Sequence, residues 1–170
     1  MMGMKAAWAN DREIFDNVGF MINIEARGPW GPALLFETCP GNEKVMDLYA
    51  EAAKYPFTYS LTTVVYSFMP NFTDFTIVKD ELPGMNFSTI VDVNHYHTDL
   101  DNFSNISEKS IQHYGAQIVP VTKEYLTNEV YADRDYFKAE NDTVNFTIPV
   151  LGLFNFSKGM YKVVNVIVFV

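Results

Sequence analysis

Two of the three histidines in this chain lie in one octapeptide, NHYHTDLD, at residues 94–101. His95 and His97 flank Tyr96, and two aspartates follow within four residues. Imidazole nitrogen is a common ligand of zinc and other transition metals, and nearby carboxylates can fix the orientation of the rings. The octapeptide therefore suggests metal chemistry, although by itself it is explained more simply as a solvated loop after a strand.

Composition limits what else the protein can do. The 170 residues are 48% hydrophobic, which is enough for one domain with a core. The net charge of -9 would repel a phosphate backbone, so we expect no nucleic-acid partner. Cys39 is the only cysteine, which excludes an internal disulfide and a thiolate zinc site. Any metal must therefore be held by histidine and carboxylate.

A second candidate ligand is Glu25, at the end of the segment VGFMINIEA (residues 18–26). This near-continuous apolar run predicts a strand that is covered on both faces. A carboxylate at the end of a buried strand needs a partner, and the C-terminal edge of an open α/β sheet is where ligands collect. A salt bridge to Arg27 is the structural alternative.

Strands and amphipathic helices alternate along the rest of the chain, which predicts a layered α/β domain. Residues 33–38 form the second strand, most simply the antiparallel partner of the first. A strand near 87–92 leads into the histidine segment, and Pro120 is expected to kink the last helix. The predicted helices are 5–10, 43–54, 59–69 and 108–127, with Ser107 as N-cap of the last.

From Thr127 the sequence is polar and irregular until IPVLGLF (residues 148–154), so we predict that 129–170 is a connector. The final run VVNVIVFV (163–170) is far shorter than the roughly 20 residues that span a bilayer. It is either a buried strand or the start of a membrane helix. We therefore expect membrane contact through segments beyond residue 148.

Asn-x-Ser/Thr sequons are unusually frequent in this chain. Seven occur, against the roughly two that this composition gives by chance. Because such sequons are glycosylation acceptors in secretory compartments, their excess favours an extracytoplasmic or luminal location. Their asparagines are Asn71, Asn86, Asn102, Asn105, Asn141, Asn145 and Asn155.

Six segments in sequence order together resemble the cocatalytic zinc aminopeptidases, peptidase family M28. Within it, the similarity is to the membrane-tethered branch that includes vacuolar membrane protease and the endoplasmic-reticulum metallopeptidases. The resemblance implies part of a three-layer α/β/α sandwich with a mixed sheet. The matching segments are INIEARGPWGPALLFET (22–38), LYAEAAKYPF (48–57), PNFTDFTIVK (70–79), LPGMNFSTI (82–90), HYHTDLDNFSNIS (95–107) and SIQHYG (110–115).

The resemblance also implies roles for individual residues. Members of the family bind two zinc ions that share a bridging aspartate, which is the arrangement of two-metal hydrolases. By this resemblance Glu25 is a ligand of one zinc and His97 a ligand of the other, with His95 as the alternative. Asp74 would lie close to the ligands and the substrate. Tyr96 is positioned to face substrate or to pack, and packing is favoured.

The family's remaining ligands and its general-base glutamate do not match any segment of this chain. The resemblance therefore implies that residues 1–128 are the C-terminal part of a peptidase domain, inactive alone. The intact protein would remove N-terminal residues from peptide substrates on the luminal side of a membrane, and no specific protein partner is implied. The alternatives are a non-catalytic binding or assembly module of the same fold and a one-zinc, glutaminyl cyclase-like enzyme.

Overall fold

The computed structural model describes residues 2–169 and centres on a three-stranded mixed sheet. The strands are β1 (Met21–Ala26), β2 (Leu34–Thr38) and β3 (Gly84–Thr89), in the spatial order β1-β3-β2. Strand β3 is parallel to β1 and antiparallel to β2. The prediction that the second strand pairs with the first is therefore wrong, because β3 lies between them.

The order of the strands also decides which of them is buried. The six residues of β3 are all buried, whereas β1 forms an edge of the described sheet. Ile24 in the middle of β1 is 58% exposed. The apolar run of β1 was expected to be covered on both faces, and this expectation is wrong for the described residues. Hydrophobic composition alone does not distinguish an edge strand from a central one.

The described part of the chain contains six α-helices, and those predicted at 43–54, 59–69 and 108–127 are confirmed within two residues at each end. The segment FTIV, which the sequence left unassigned, belongs to a short helix. The helices are α1 (Met2–Asn10), α2 (Glu43–Ala52), α3 (Ser60–Ser67), α4 (Asp74–Val78), α5 (Glu108–Thr127) and α6 (Lys158–Phe169).

Alternation along β3 separates two helical layers. Phe87 points to one face of the sheet, where its ring centroid lies 6.0 Å from that of Tyr49 in α2. Asn86 points to the opposite face, where its amide donates to the hydroxyl of Thr73 at the start of α4 (2.9 Å). Because consecutive strand residues face opposite sides, α2 and α4 cover different faces. This is the three-layer α/β/α arrangement that the resemblance implied.

Helix α5 runs without interruption through Pro120. A proline has no N–H, so the carbonyl of Ala116, four residues earlier, cannot form its usual helical hydrogen bond. That carbonyl instead accepts from the backbone N–H of Lys54, just after α2 (3.1 Å). Because of the proline, the Ala116 carbonyl is available for a hydrogen bond that joins α5 to the end of α2.

The expectation of an irregular chain between Thr127 and residue 148 is wrong for its last part. Residues Thr143–Ile148 form β4 and residues Gly152–Ser157 form β5, an antiparallel hairpin. The segment around Thr58 joins this hairpin to the main sheet. Leu35 N–H donates to the Phe57 carbonyl (2.9 Å), and Thr147 N–H donates to the Thr58 carbonyl (3.0 Å). The hairpin therefore packs against the α/β domain.

We predict that Thr58→Val weakens this junction. Thr58 is 3% exposed, and its hydroxyl lies 2.8 Å from the Leu35 carbonyl oxygen and 2.9 Å from the side-chain oxygen of Asn145. Valine keeps the volume but leaves these buried polar atoms without a partner, which costs about 1.5 kcal/mol of unfolding free energy. Urea unfolding measures the loss. Thr58→Ser keeps the hydroxyl and is the control, so equal losses in the two variants would contradict the prediction.

The C-terminal run that begins at residue 163 is helical as far as Phe169, because α6 extends from Lys158 to Phe169. The alternative of a buried strand is wrong for the part of this run that is described. Val170, its last residue, lies outside the described residues, as does Met1. Among residues 2–169, no helix combines the length and the apolar character needed to cross a bilayer.

Candidate functional site

The C-terminal ends of β1 and β3 are held together at one edge of the sheet. The two strands are parallel, so the segments that follow them leave the sheet on the same side. The Thr89 carbonyl accepts from the N–H groups of Arg27 (2.9 Å) and Gly28 (3.2 Å), and the Thr89 hydroxyl donates to the Gly28 carbonyl (2.6 Å). Glu25 and the segment that carries the histidines therefore lie at the same edge.

The histidine loop (residues 94–101) is built by local hydrogen bonds. The chain enters it after Asp92, which has a left-handed backbone with φ of 60°, and His97 has φ of 58°. The hydroxyl of Thr98 donates to the His95 carbonyl (2.7 Å). The exposed ring of His97 stacks on that of Tyr96, with centroids 3.8 Å apart and planes 20° from parallel.

Arg27 connects three segments around this edge. Its guanidinium carbon lies 4.9 Å from the centre of the Tyr96 ring, a cation–π contact with the histidine loop. Its Nη2 donates to the side-chain oxygen of Asn71, in the loop before α4 (2.8 Å). The expected alternative, a salt bridge from Arg27 to Glu25, does not occur among the described residues.

Glu25 belongs instead to a row of polar side chains that crosses all three strands. The register aligns Asn23, Asn86 and Glu37 across β1, β3 and β2. Asn23 donates to Glu25 (3.1 Å) and to Asn86 (2.8 Å), and Asn86 donates to Glu37 (3.0 Å). Glu37 is 3% exposed and is paired at 2.6 Å with Lys79, the C-cap residue of α4. The candidate ligand is thus hydrogen-bonded to a buried ion-pair network.

A β-bulge places Glu37 in this row. Leu35 pairs with Phe87 and Glu37 pairs with Asn86, so Phe36 is an extra residue in β2. Without the bulge, Glu37 would share the face of Leu35 because they are two residues apart. Sequence reasoning missed Glu37 and Asn86. A charged residue inside the apolar strand ALLFET was the available signal.

Asp74 directly follows a residue that is hydrogen-bonded to this row. It is the first residue of α4 and follows the N-cap Thr73. A capping box joins Thr73 and Thr76, and the Thr73 hydroxyl also accepts from Asn86. Half-buried Asp74 is therefore the chain neighbour of a residue, Thr73, that is hydrogen-bonded to the polar row. His95 is also half-buried, and its Nδ1 atom is a buried atom without a hydrogen-bond partner among the described residues.

Two further residues of α5 were not assigned a role by sequence reasoning. Tyr114 donates its hydroxyl to the backbone carbonyl of Glu25 (2.5 Å), and burial raises the pKa of this tyrosine, so it stays a neutral donor. His113 accepts from the Ala33 N–H at Nδ1 (2.9 Å), and its Nε2 lies 3.0 Å from the Tyr55 carbonyl oxygen. The third histidine therefore supports the backbone.

The donor types at this edge suit zinc, but the described residues do not form a complete zinc centre. Carboxylate and imidazole are common zinc ligands, and protein zinc sites use three or four of them. Among residues 2–169, no group of three histidine, cysteine or carboxylate side chains is placed to share an ion. Glu25 and His97 can therefore be only part of a ligand set.

An independent comparison of the sequence identifies the class of protein. Peptidase family M28 matches residues 4–122, the region that contains the mixed sheet, the histidine loop and most of α5. The chain therefore belongs to peptidase family M28, in agreement with the resemblance found in its sequence and with its α/β fold.

Among curated relatives, the chain is 34% identical to the human "Endoplasmic reticulum metallopeptidase 1" over 137 residues, 78% of the chain and 15% of the relative. It is 29% identical to the Caenorhabditis elegans "Putative endoplasmic reticulum metallopeptidase 1-A" over 166 residues, 94% of the chain and 18% of the relative. The "Vacuolar membrane protease" of Candida dubliniensis is 29% identical over 102 residues, 58% of the chain and 11% of the relative.

The chain thus spans less than a fifth of the length of these relatives. No solved structure matches it significantly. Family and relatives support a peptidase function, and the names of the relatives refer to the endoplasmic reticulum and to the vacuolar membrane.

Proposed function

We propose that this chain forms one side of the active site of a zinc-dependent aminopeptidase, which hydrolyses N-terminal peptide bonds. The observation that carries the proposal is the joined C-terminal edge of β1 and β3, where Glu25 and the histidine loop leave adjacent parallel strands. Catalytic residues commonly collect at this edge of α/β sheets. Membership of a peptidase family supplies the reaction class.

In this proposal Glu25 and His97 are metal ligands, with His95 as the alternative to His97. Asn23 holds the Glu25 carboxylate through a hydrogen bond of 3.1 Å, and Tyr114 holds its backbone carbonyl. The first contact restricts rotation of the side chain and the second fixes the backbone that carries it, which is the function of hydrogen bonds around metal ligands.

Two other residues are assigned to the surroundings of the metal. Asp74 lies near the ligands or the substrate, and Tyr96 packs against His97 and Arg27. The general base and the remaining ligands of both zinc ions are assigned to parts of the protein outside the described residues. The chain alone is therefore expected to be inactive.

The proposal extends to location and domain organisation. Residues 1–128 are assigned to the peptidase domain, which faces the luminal side of a membrane, and residues 129–170 connect it to the membrane. Relatives named for the endoplasmic reticulum and for the vacuolar membrane support this location. The hairpin β4–β5, in the middle of this connector, packs against the segment around Thr58 and so supports a connector that is partly docked on the peptidase domain.

The reaction is tested on the complete gene product. Aminoacyl chromogenic substrates are compared with a peptide that begins with glutamine, and zinc content is measured on the same preparation. We expect zinc-dependent release of the N-terminal residue. Cyclisation of the glutamine peptide alone would indicate a glutaminyl cyclase, and folded protein without zinc or hydrolysis would indicate a non-catalytic binding module.

The ligand assignment predicts the effect of two substitutions. We expect Glu25→Gln and His97→Ala each to reduce zinc affinity in the complete gene product on the order of 100-fold or more, since each removes a direct ligand. Competition with a chromogenic chelator measures the affinity, and circular dichroism monitors folding. His95→Ala distinguishes the two histidines.

Asp101→Asn is the matched control, because it removes an exposed carboxylate from the same histidine loop. Its zinc affinity should equal that of the wild type. A large loss in His95→Ala with none in His97→Ala would transfer the ligand role to His95. Wild-type affinity in Glu25→Gln would remove Glu25 from the site.

A further inference from the structure

The seven sequons have very different environments in the folded chain. The side chains of Asn102 and Asn141 are exposed, whereas Asn86 is 0% and Asn145 is 5% exposed. The other three asparagines are half-buried: Asn71, Asn105 and Asn155. A sequon identifies an acceptor by sequence only, and a bulky glycan is compatible with the fold only where the amide reaches solvent.

The hydrogen bonds of the side-chain amide nitrogens also separate sequons that can carry a glycan from those that cannot. A side-chain amide has two N–H groups, and attachment of a sugar replaces one of them. Asn86 uses both, one to Glu37 (3.0 Å) and one to the Thr73 hydroxyl (2.9 Å), in the centre of the polar row. A glycan on Asn86 would break a bond to the buried ion-pair network and would have no room.

Asn145 is excluded as a glycosylation site because it lies where the hairpin β4–β5 contacts the segment around Thr58. Its side-chain oxygen lies 2.9 Å from the Thr58 hydroxyl, and its backbone N–H donates to the Ser60 hydroxyl (2.7 Å). The threonine of the same sequon, Thr147, accepts from the Thr58 N–H (3.1 Å). A glycan here would separate the hairpin from the domain.

Asn102 and Asn141 have the opposite properties. Asn102 begins a short 3-10 helix, where its oxygen accepts from the Ser104 N–H (3.1 Å) and its nitrogen donates once, to the Asp99 carbonyl (2.6 Å). The second N–H of the Asn102 amide is therefore not needed for this hydrogen bond. The backbone carbonyl of Asn141 accepts from the Glu43 N–H (3.2 Å), which anchors the residue while its side chain stays exposed.

We propose that Asn102 and Asn141 carry N-linked glycans and that Asn86 and Asn145 stay unmodified. The donor is an oligosaccharide linked to a lipid diphosphate. The bond between the anomeric carbon and the phosphate oxygen breaks, a bond from that carbon to Nδ2 forms, and one amide proton leaves with the lipid diphosphate. This inference rests on the luminal location in the proposed function but not on the assigned ligands.

The test is site-specific glycopeptide mass spectrometry of the complete gene product, expressed in a eukaryotic secretory host. We expect high occupancy at Asn102 and Asn141 and none at Asn86 or Asn145 in folded material. Ser104→Ala and Asn141→Gln should each remove one endoglycosidase-sensitive mobility step, and Ser104→Ala does so while it keeps the Asn102 side chain. Because occupancy is read on denatured peptides, a folding defect in a variant does not obscure the result.

Two matched controls accompany these variants. Ser104→Thr preserves the sequon and should keep the glycan, and Ser88→Ala destroys the Asn86 sequon and should leave the mobility unchanged. A glycan at Asn86 or Asn145 in folded protein would overturn the assignment by burial, as would higher occupancy at a half-buried asparagine than at Asn102 or Asn141. A protein with no glycan at all would overturn both this assignment and the luminal location, whereas the zinc measurements would be unaffected.

Discussion

Gly28→Ala is expected to lower the free energy of unfolding by about 3 kcal/mol, the upper end of the usual cost of overpacking. A Cβ atom at Gly28 would lie 1.9 Å from the carbonyl oxygen of Val91, far inside van der Waals contact. The clash is with backbone, so a change of side-chain rotamer cannot relieve it. The two strand ends must instead move apart, although Gly28 N–H donates to Thr89.

The same displacement should affect the candidate site, because the clash lies between the segments that follow β1 and β3. We therefore expect weaker zinc binding in the complete gene product as well as lower stability. Pulse proteolysis in urea measures the unfolding free energy, and chelator competition measures zinc. Loss of stability without any change in zinc affinity would show that the strand ends do not position the ligands.

The chain contains a suitable control in Gly115, inside α5. Apart from the neighbouring backbone of the helix itself, no described atom lies within 4 Å of a Cβ built there. Alanine is favoured over glycine in a helix interior by roughly 0.5–1 kcal/mol, so Gly115→Ala should increase stability by about that amount. Equal effects of Gly28→Ala and Gly115→Ala would contradict the close approach of the strand ends.

The second large effect is expected for Lys79→Met. This substitution keeps the aliphatic stem of the side chain but removes the cation that pairs with Glu37, whose side chain is 3% exposed. Removing one partner of a buried ion pair leaves an uncompensated charge, and we expect a loss of about 3 kcal/mol. Pulse proteolysis in urea measures the change in unfolding free energy.

A double-mutant cycle isolates the ion pair from other effects. In Glu37→Gln with Lys79→Met, the buried charge is absent and the amide can still accept from Asn86, so most of the lost stability should return. Lys79→Arg keeps the charge and should cost less than Lys79→Met. If the double variant were as unstable as the sum of the single variants, Glu37 and Lys79 would not interact.

The local elements were predictable because their signals are local. The spacing of apolar residues predicted α2, α3 and α5, and Ser107 was identified as the cap of α5, where its hydroxyl accepts from the Ser110 N–H (3.3 Å). The six family-like segments identified a peptidase of family M28. Glu25 and the histidine loop were chosen from the same segments, and their role as ligands stays a prediction.

The sequence by itself thus determined the longer helices α2, α3 and α5, the family and the residue types available for chemistry, since each depends on neighbours along the chain. Tertiary structure alone decided that β3 separates β1 from β2, because pairing between strands depends on contacts across dozens of residues. It also decided that a bulge at Phe36 turns Glu37 toward Asn86, and that Arg27 contacts Tyr96 instead of Glu25. A bulge changes the face of every following side chain without any change in composition, so hydrophobic periodicity cannot reveal it.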